Sequence, residues 1–189
     1  MLPAIMRIAG LALGPVLALA ACHAQPPPNW AQGGSPLDIP RARWTRGDKL
    51  IDIMPDGKVL GDGEHLFTID HAGRVYQPDL EPVAVLQADG RLVGKDEAVL
   101  GKIGLRNSSP PGKDIAWLSI GDRGEVVRFD PDGDAHTDGG WVGCNPSIRA
   151  CTLATHIVTL VESRWRRSPM YGPSVGVGIG VGFGMVVPP

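Results

Sequence analysis

Between residues 48 and 140 the chain alternates short apolar and polar runs, and these runs recur at a regular spacing. Each unit of 16 or 17 residues places a large aliphatic residue four positions before a turn residue, as Leu86 stands before Gly90. Apolar and polar positions alternate on both sides of the turn, which is the period-two pattern of half-buried β-strands joined in a hairpin. The pattern predicts five hairpin units with about ten short strands, each antiparallel to its neighbours.

The turn residues of the five units are four glycines and one asparagine. Glycine adopts positive φ without strain and asparagine tolerates it, so the substitution in the fourth unit preserves the pattern. Pairs such as Asp89-Gly90 favour a type I′ turn, in which both central residues have positive φ. We expect a structural role for all five turn residues, which are Gly57, Gly73, Gly90, Asn107 and Gly124.

The repetition predicts architecture rather than a repeated ligand site. A ligand-binding repeat should repeat its contacts as well as its turns, yet the positions after the turns differ freely, as Lys58 and Glu125 illustrate. The expected fold is all-β: an antiparallel meander that closes into a barrel or a sandwich.

The pattern changes after residue 140. Residues 152–162 are rich in Thr, Ile and Val, which favours a strand; a helix is the alternative, because Leu153, Ile157 and Leu160 would share one face. Residues 175–184 alternate an apolar residue with glycine, as a strand with one bare face would. We expect these two segments to form a C-terminal β-hairpin. For residues 175–184 the alternatives are a lipid-facing strand of a membrane barrel and a structureless glycine-rich end.

The first 24 residues indicate export. Arg7 is the only charge before an apolar run that ends in Leu19-Ala20-Ala21-Cys22, which is typical of a secretory signal peptide. The run is too short for a spanning helix, which needs about 20 apolar residues. The sequence LAAC resembles the lipobox of bacterial lipoproteins, in which the cysteine receives diacylglycerol before cleavage. An ordinary signal peptide cut at Ala24 is the alternative.

The resemblance implies a mature chain that begins at a lipidated Cys22 and is held in the cell envelope by its acyl chains. By the sorting habit of that family, His23 in the second mature position implies the outer membrane. Proline and glycine are dense from Cys22 to Pro40, which is typical of a tether. The expected organisation is a signal peptide at 1–21, a tether at 22–47, the repeat domain at 48–140 and a C-terminal part at 141–189 packed on the same domain.

The net charge limits which partners are expected, and the cysteines bear on the compartment in which the protein folds. The 189 residues carry 18 basic and 20 acidic side chains, and without Arg7 the mature chain has 17 against 20, a net charge of −3. This balance gives no general attraction to nucleic acid. We expect the membrane, through the lipid, and a possible envelope protein as partners. In an exported chain, Cys144 and Cys151 predict a disulfide, which in so short a loop stabilises by roughly 2.5 kcal/mol.

Residues 130–138 are the main candidate for metal chemistry. Calcium loops place oxygen ligands at alternate positions with glycine at the sixth, but here the sixth position is Ala135 and no distal glutamate follows in register. A solvated turn is therefore favoured, and no metal is expected. The weak candidate ligands are Asp130, Asp132, Asp134 and Asp138.

The remaining motifs do not indicate an enzyme. The G-x-S-x-G match at 172–176 lacks a following helix, and the basic run 164–167 is more typical of an exposed hairpin tip than of a phosphate or headgroup site. No cofactor motif is present in the sequence. We expect a non-enzymatic envelope lipoprotein with a structural or partner-binding domain. The alternative is a small-molecule-binding or hydrolytic barrel with a pocket in its mouth.

Overall fold

The computed structural model describes residues 25–145 and 147–166, with side chains up to residue 163. The described chain contains twelve β-strands, a 3-10 turn at Lys95–Glu97 and one helix, α1, at Ile148–Arg166. In chain order the strands are Ala42–Arg46 (β1), Lys49–Ile53 (β2), Lys58–Gly61 (β3), Glu64–Ile69 (β4), Arg74–Tyr76 (β5), Pro82–Leu86 (β6), Arg91–Gly94 (β7), Val99–Ile103 (β8), Asn107–Ser109 (β9), Leu118–Ile120 (β10), Glu125–Phe129 (β11) and Ala135–Val142 (β12).

The strands form one closed antiparallel barrel, and each strand pairs with its neighbours in the chain. The barrel closes where β1 pairs with β12, and Trp44 lies opposite Trp141 in this pair. Because the sheet is closed, every described strand has a partner on both sides. The predicted all-β meander is confirmed, and of the two closed arrangements considered it is the barrel; it has twelve strands rather than about ten.

β1 lies within residues 22–47, the segment predicted as a tether. Its sequence alternates like the repeat units do, so that Ala42 and Trp44 are buried while Arg43 and Thr45 are exposed. The tether prediction was wrong for this part, because the Pro and Gly content that suggested it ends before the alternation begins.

Residues 25–41, also predicted as tether, lie against the barrel wall and one of its ends. The amide of Ser35 donates to the carbonyl of Leu86 at 2.6 Å, and the amide of Leu37 donates to the carbonyl of His71 at 3.0 Å. Leu37 is buried in the core. These pairings satisfy the backbone that a solvated tether would leave to water, so the described part of this segment belongs to the domain.

The connecting loops alternate between two ends of the barrel. We call one the repeat end, formed by loops 54–57, 70–73, 87–90, 104–106 and 121–124; we call the other the exit end, formed by loops 47–48, 62–63, 77–81, 95–98, 110–117 and 130–134. α1 starts shortly after β12 at the repeat end. It runs to the exit end, where Glu162 contacts Arg46 beside the β1–β2 loop.

The predicted turn glycines gather at the repeat end. Gly57, Gly73, Gly90 and Gly124 all have positive φ, between 69° and 90°. The loops are not type I′ turns, however, because only one residue in each has positive φ. In the loop at 88–90 the amide of Gly90 donates to the carbonyl of Gln87 at 3.0 Å, and that of Gln87 donates to Arg91 at 2.7 Å. This is the three-residue loop with a glycine bulge, which needs only one left-handed residue.

Asn107 is not a turn residue, which corrects the register predicted for the fourth unit. It belongs to β9, and the equivalent of the glycines is Arg106, whose carbonyl accepts from the amide of Ile120 at 2.7 Å. The carbonyl of Gly90 accepts from Ile103 in the same way, also at 2.7 Å. The loop of the fourth unit is one residue shorter than the others, since Gly104 pairs directly with Asn107, and neither Leu105 nor Arg106 in it has positive φ.

Residues 152–162, predicted as the first strand of a C-terminal hairpin, belong to α1. The prediction from β-branched content was wrong because burial decides the conformation here. Residues 151–160 are all buried, and the hydroxyls of Thr152 and Thr155 donate to carbonyls one turn earlier, of Ile148 at 3.0 Å and Cys151 at 2.8 Å. Residues 175–184, the predicted second strand, lie outside the described residues.

α1 occupies the interior of the barrel. It is bonded to separate parts of the wall, because His156 contacts the carbonyl of Leu100 on β8 and Thr155 accepts from Trp141 on β12, four strands away. Its apolar residues form one core with the inward side chains of the strands. A helix buried on every face must be enclosed by other elements. Among the described residues, no helix has both the length and the apolar character that a membrane-spanning helix requires.

Candidate functional site

The exit mouth of the barrel holds a network of charged side chains. Arg46 continues the inward face of β1 after Trp44, and its Nε lies 2.6 Å from Asp138 Oδ1. Its Nη1 lies 2.5 Å from Glu162 Oε2 on α1. Arg128 on β11 also reaches Asp138, with Nη2 2.9 Å from Oδ2. The network thus joins β1, β11, β12 and the last turns of α1.

The network pairs two positive charges with two negative ones. Burial lowers the pKa of Arg46, but hydrogen bonds and the charges of Glu162 and Asp138 outweigh this, so the pKa stands above its usual value. Arg46 also lies over the ring of Trp44, 5.4 Å from its centre, a favourable cation–π position. These side chains bond to one another and close the exit mouth around the end of α1, so they are not free catalytic groups. We call this network of Arg46, Arg128, Asp138 and Glu162 the charged seal.

A second polar cluster lies inside the barrel wall at the fourth unit. The indole Nε1 of Trp117 donates to Ser108 Oγ at 3.1 Å and to His156 Nδ1 at 3.2 Å. His156 Nε2 lies 3.0 Å from the carbonyl of Leu100. Since the indole can only donate, Nδ1 is the acceptor and Nε2 carries the proton that Leu100 accepts.

This cluster holds His156 neutral. Burial lowers the pKa of His156 to about 4, while the hydrogen bond to Leu100 opposes the shift. Both ring nitrogens are engaged and the residue is fully buried, so it has no free lone pair to act as a base. Its role in the described structure is to connect α1 to the wall.

An open cleft of about 370 Å³ lies on the outer side of the same wall. It is lined by β7, β8 and the β9–β10 loop, with Lys102 and Lys113 beside Asp114. The backbone of Gly101 lies between this cleft and the cluster inside. The ring of His156 packs so closely against the inner side of Gly101 that a Cβ there would overlap it. Among the described residues, Lys102 and Lys113 have no carboxylate within ion-pair distance.

The predicted metal candidates do not converge. Asp138 is bound by two arginines, as described above, and Asp130 lies 2.9 Å from His136 across its own hairpin. Asp132 and Asp134 are exposed in the β11–β12 loop. In the part of the chain that the structure describes, no three His, Cys, Asp or Glu side chains come together as a metal site requires.

Cys144 and Cys151 lie at disulfide distance, with their Sγ atoms 1.99 Å apart. Both residues are buried. The pair links the segment after β12 to the first turn of α1 and so fixes the start of the helix at the repeat end. Cys22 and the G-x-S-x-G match at 172–176 lie outside the described residues, and of the basic run 164–167 only the backbone of 164–166 is described, as the end of α1.

The charged seal and the Trp117 contact were not predicted from the sequence. Arg46 stands in phase with Ala42 and Trp44, so a charge on the inward face of a strand was the available signal. Its partners Asp138 and Glu162 follow 92 and 116 residues later, a separation that no local pattern reveals.

The fold and these clusters define a class of protein: a closed up-and-down barrel with a helix through its interior and an ion-paired seal at one mouth. Comparisons with protein-family profiles, with curated protein sequences and with solved structures found no match to this chain.

Proposed function

We propose that this chain is a lipoprotein of the bacterial cell envelope, anchored through Cys22, whose β-barrel is a non-catalytic structural or partner-binding domain. The LAAC sequence supports the anchor, and His23 supports the outer membrane as its location. The proposed partners are the membrane, through the lipid, and an envelope protein. Neither a cofactor nor nucleic acid is part of the proposal.

The observation that carries the non-catalytic role is the filled interior of the barrel. Small barrels that bind or transform ligands do so in the interior or in the mouth. Here α1 occupies the interior, and the ion pairs of Arg46, Arg128, Asp138 and Glu162 occupy the exit mouth. In this proposal the outer wall and the loops make the contacts with other molecules.

The cysteine pair supports an oxidising compartment. Disulfides persist in exported proteins and are rare in the cytosol. Cys144 and Cys151 lie at bonding distance, where they connect two elements that the core already holds together. Export also agrees with the signal peptide that the first residues predict.

A labelling experiment tests the anchor. Cells given a fatty-acid analogue should label the wild type, while Cys22→Ser should remain unlabelled, because the thiol that receives the lipid is gone. The matched control is Cys144→Ser/Cys151→Ser, which keeps Cys22 and should label as strongly as the wild type. Equal labelling of Cys22→Ser would contradict the proposal.

The outer cleft favours a second candidate, a small-molecule-binding lipoprotein. Its lysines, Lys102 and Lys113, would suit a ligand with a carboxylate or phosphate group. The site would then lie on the wall at the fourth unit, not in the mouth. We rank it second because the cleft is open to solvent and lies outside the packed interior.

A further inference from the structure

The six loops of the exit end carry a strong negative charge. They contain ten acidic residues against two lysines, a net charge of −8. The acidic residues are Asp48, Asp62, Asp79, Glu81, Asp96, Glu97, Asp114, Asp130, Asp132 and Asp134, and the lysines are Lys95 and Lys113. The mature chain as a whole has a net charge of only −3, by 17 basic against 20 acidic residues, so the charge is concentrated at this end.

The loops of the repeat end are built differently. They contain four acidic residues, and each one has a basic partner at 2.6 to 3.1 Å: Asp56 with Lys58, Asp70 with Arg74, Asp89 with Arg91 and Asp122 with Arg106. Of the ten acidic residues at the exit end, only Glu81 has a Lys or Arg partner within the described residues, namely Lys95 at 3.1 Å. The exit end therefore keeps a negative field that the described chain does not neutralise.

Apolar side chains stand among these acidic residues. Leu80 is 70% exposed in the β5–β6 loop and Ile115 is 57% exposed in the β9–β10 loop. Each is the neighbour of an acidic residue in the sequence, Asp79 and Asp114 respectively. An exposed surface that combines apolar tips with one sign of charge fits a partner that is both apolar and of the opposite charge.

The chain itself supplies such a partner at this place. α1 carries the chain to the exit end, where Glu162 lies 2.5 Å from Arg46 and 3.7 Å from Lys49, on either side of the β1–β2 loop. The segment 164–189 follows at once. It contains three arginines, many Val and Gly residues and no acidic residue. Its charge of +3 thus begins within one helical turn of a surface with the opposite charge.

We propose that residues 164–189 dock across the exit end of the barrel. Arg164, Arg166 and Arg167 contact the acidic loops, and the apolar residues that follow cover Leu80 and Ile115. The covalent link to α1 gives the segment a high effective concentration at this surface, which favours it over a free partner of the same chemistry. The docking does not depend on the lipid anchor.

Photo-crosslinking tests this docking in the full chain. The photoreactive residue p-benzoylphenylalanine replaces Trp165, and the purified protein is irradiated in detergent micelles at low ionic strength. Mass spectrometry of the digested monomer should then find crosslinks to the loops 77–81, 110–117 or 130–134. In about 1 M salt, where the screening length is roughly 3 Å, the yield should fall by about threefold or more.

Two triple variants make a matched comparison. Asp130→Asn/Asp132→Asn/Asp134→Asn removes charge from the exit end and should lower the crosslink yield by about threefold. Asp56→Asn/Asp89→Asn/Asp122→Asn removes the same charge from the repeat end and should leave the yield unchanged. The docking is overturned if the crosslinks map to the repeat end, if they form only between molecules or to lipid, or if both variants behave alike.

Discussion

Two hairpin loops of the barrel share one backbone geometry but differ in their surroundings. Gly124 and Gly133 have φ values of 90° and 91°, and each donates its amide to the carbonyl three residues earlier. A Cβ at Gly124 would overlap the carbonyl oxygen of Trp141, whereas a Cβ at Gly133 would meet nothing within 4 Å. The two positions therefore separate the cost of positive φ from the cost of a steric contact.

We expect Gly124→Ala to be more destabilising than Gly133→Ala. Positive φ alone should lower the free energy of unfolding by about 1 kcal/mol in both variants. The overlap with Trp141 should add about 1–3 kcal/mol in Gly124→Ala, because the backbone must move to relieve it. Denaturant unfolding of both variants measures the difference, and equal midpoints would contradict the tight packing of the repeat end.

His156 makes stability depend on pH. In the unfolded chain its pKa lies near 6.5, while burial lowers the folded pKa to about 4. A lowered folded pKa means that the unfolded state binds the proton first, so the contribution is complete above pH 6.5 and is lost as the pH falls towards 4. The free energy of unfolding should fall by about 3 kcal/mol from this residue alone over that range.

The variant His156→Gln isolates this contribution, because glutamine keeps one donor and one acceptor but does not titrate. Its free energy of unfolding should change less between pH 6.5 and 4 than that of the wild type. The quantity to measure is the difference between the two proteins at each pH. If the two curves run parallel, the histidine is accessible to protons in the folded protein.

At the scale of single residues, the sequence predicted the features that depend on local backbone geometry. Positive φ at Gly57, Gly73, Gly90 and Gly124 followed from the spacing, because only certain residues tolerate that conformation. Asn107 was misplaced, since a loop shorter by one residue shifts the register without changing the aliphatic pattern. At Gly90 a Cβ would lie 2.9 Å from the carbonyl oxygen of Ile103, so any side chain there, including that of asparagine, meets a contact that glycine avoids.

The helix α1 shows how burial overrides propensity at the scale of an element. Its β-branched residues favour a strand by intrinsic preference. Enclosure by twelve strands instead favours the element that satisfies its own backbone, since a lone strand inside a barrel would leave its amides unpaired. The sequence could not reveal this, because the enclosure exists only after the barrel has closed.

Hydrogen exchange tests the enclosure of α1. The amides of residues 151–160 should exchange only when the whole domain unfolds, so their exchange free energies should equal the global free energy of unfolding. Loops of the exit end, such as 47–48 and 62–63, should exchange much faster. Exchange in 151–160 at rates typical of a surface helix would show that α1 leaves the barrel without unfolding it.

At the scale of the whole molecule, the closed meander was predictable because its hairpins are local. Each unit pairs with the next one along the chain, so the repeat predicts the nine antiparallel pairs among the ten strands β2–β11, although not their register. The pair between β1 and β12, in which Arg43 lies opposite Val142, is the one that closes the barrel. A sandwich would show the same local pattern, so the sequence could not distinguish the two.

The position of α1 also constrains the order in which the domain can form. The helix follows β12 in the chain, yet it lies inside the barrel that β12 closes. During synthesis the twelve described strands appear before the residues that fill their interior, and hairpins without a packed face are only marginally stable. A wall that closed early would enclose water and exclude the helix. Strand closure and helix entry must therefore occur together, in a late cooperative step that waits for a contact spanning almost the whole described chain.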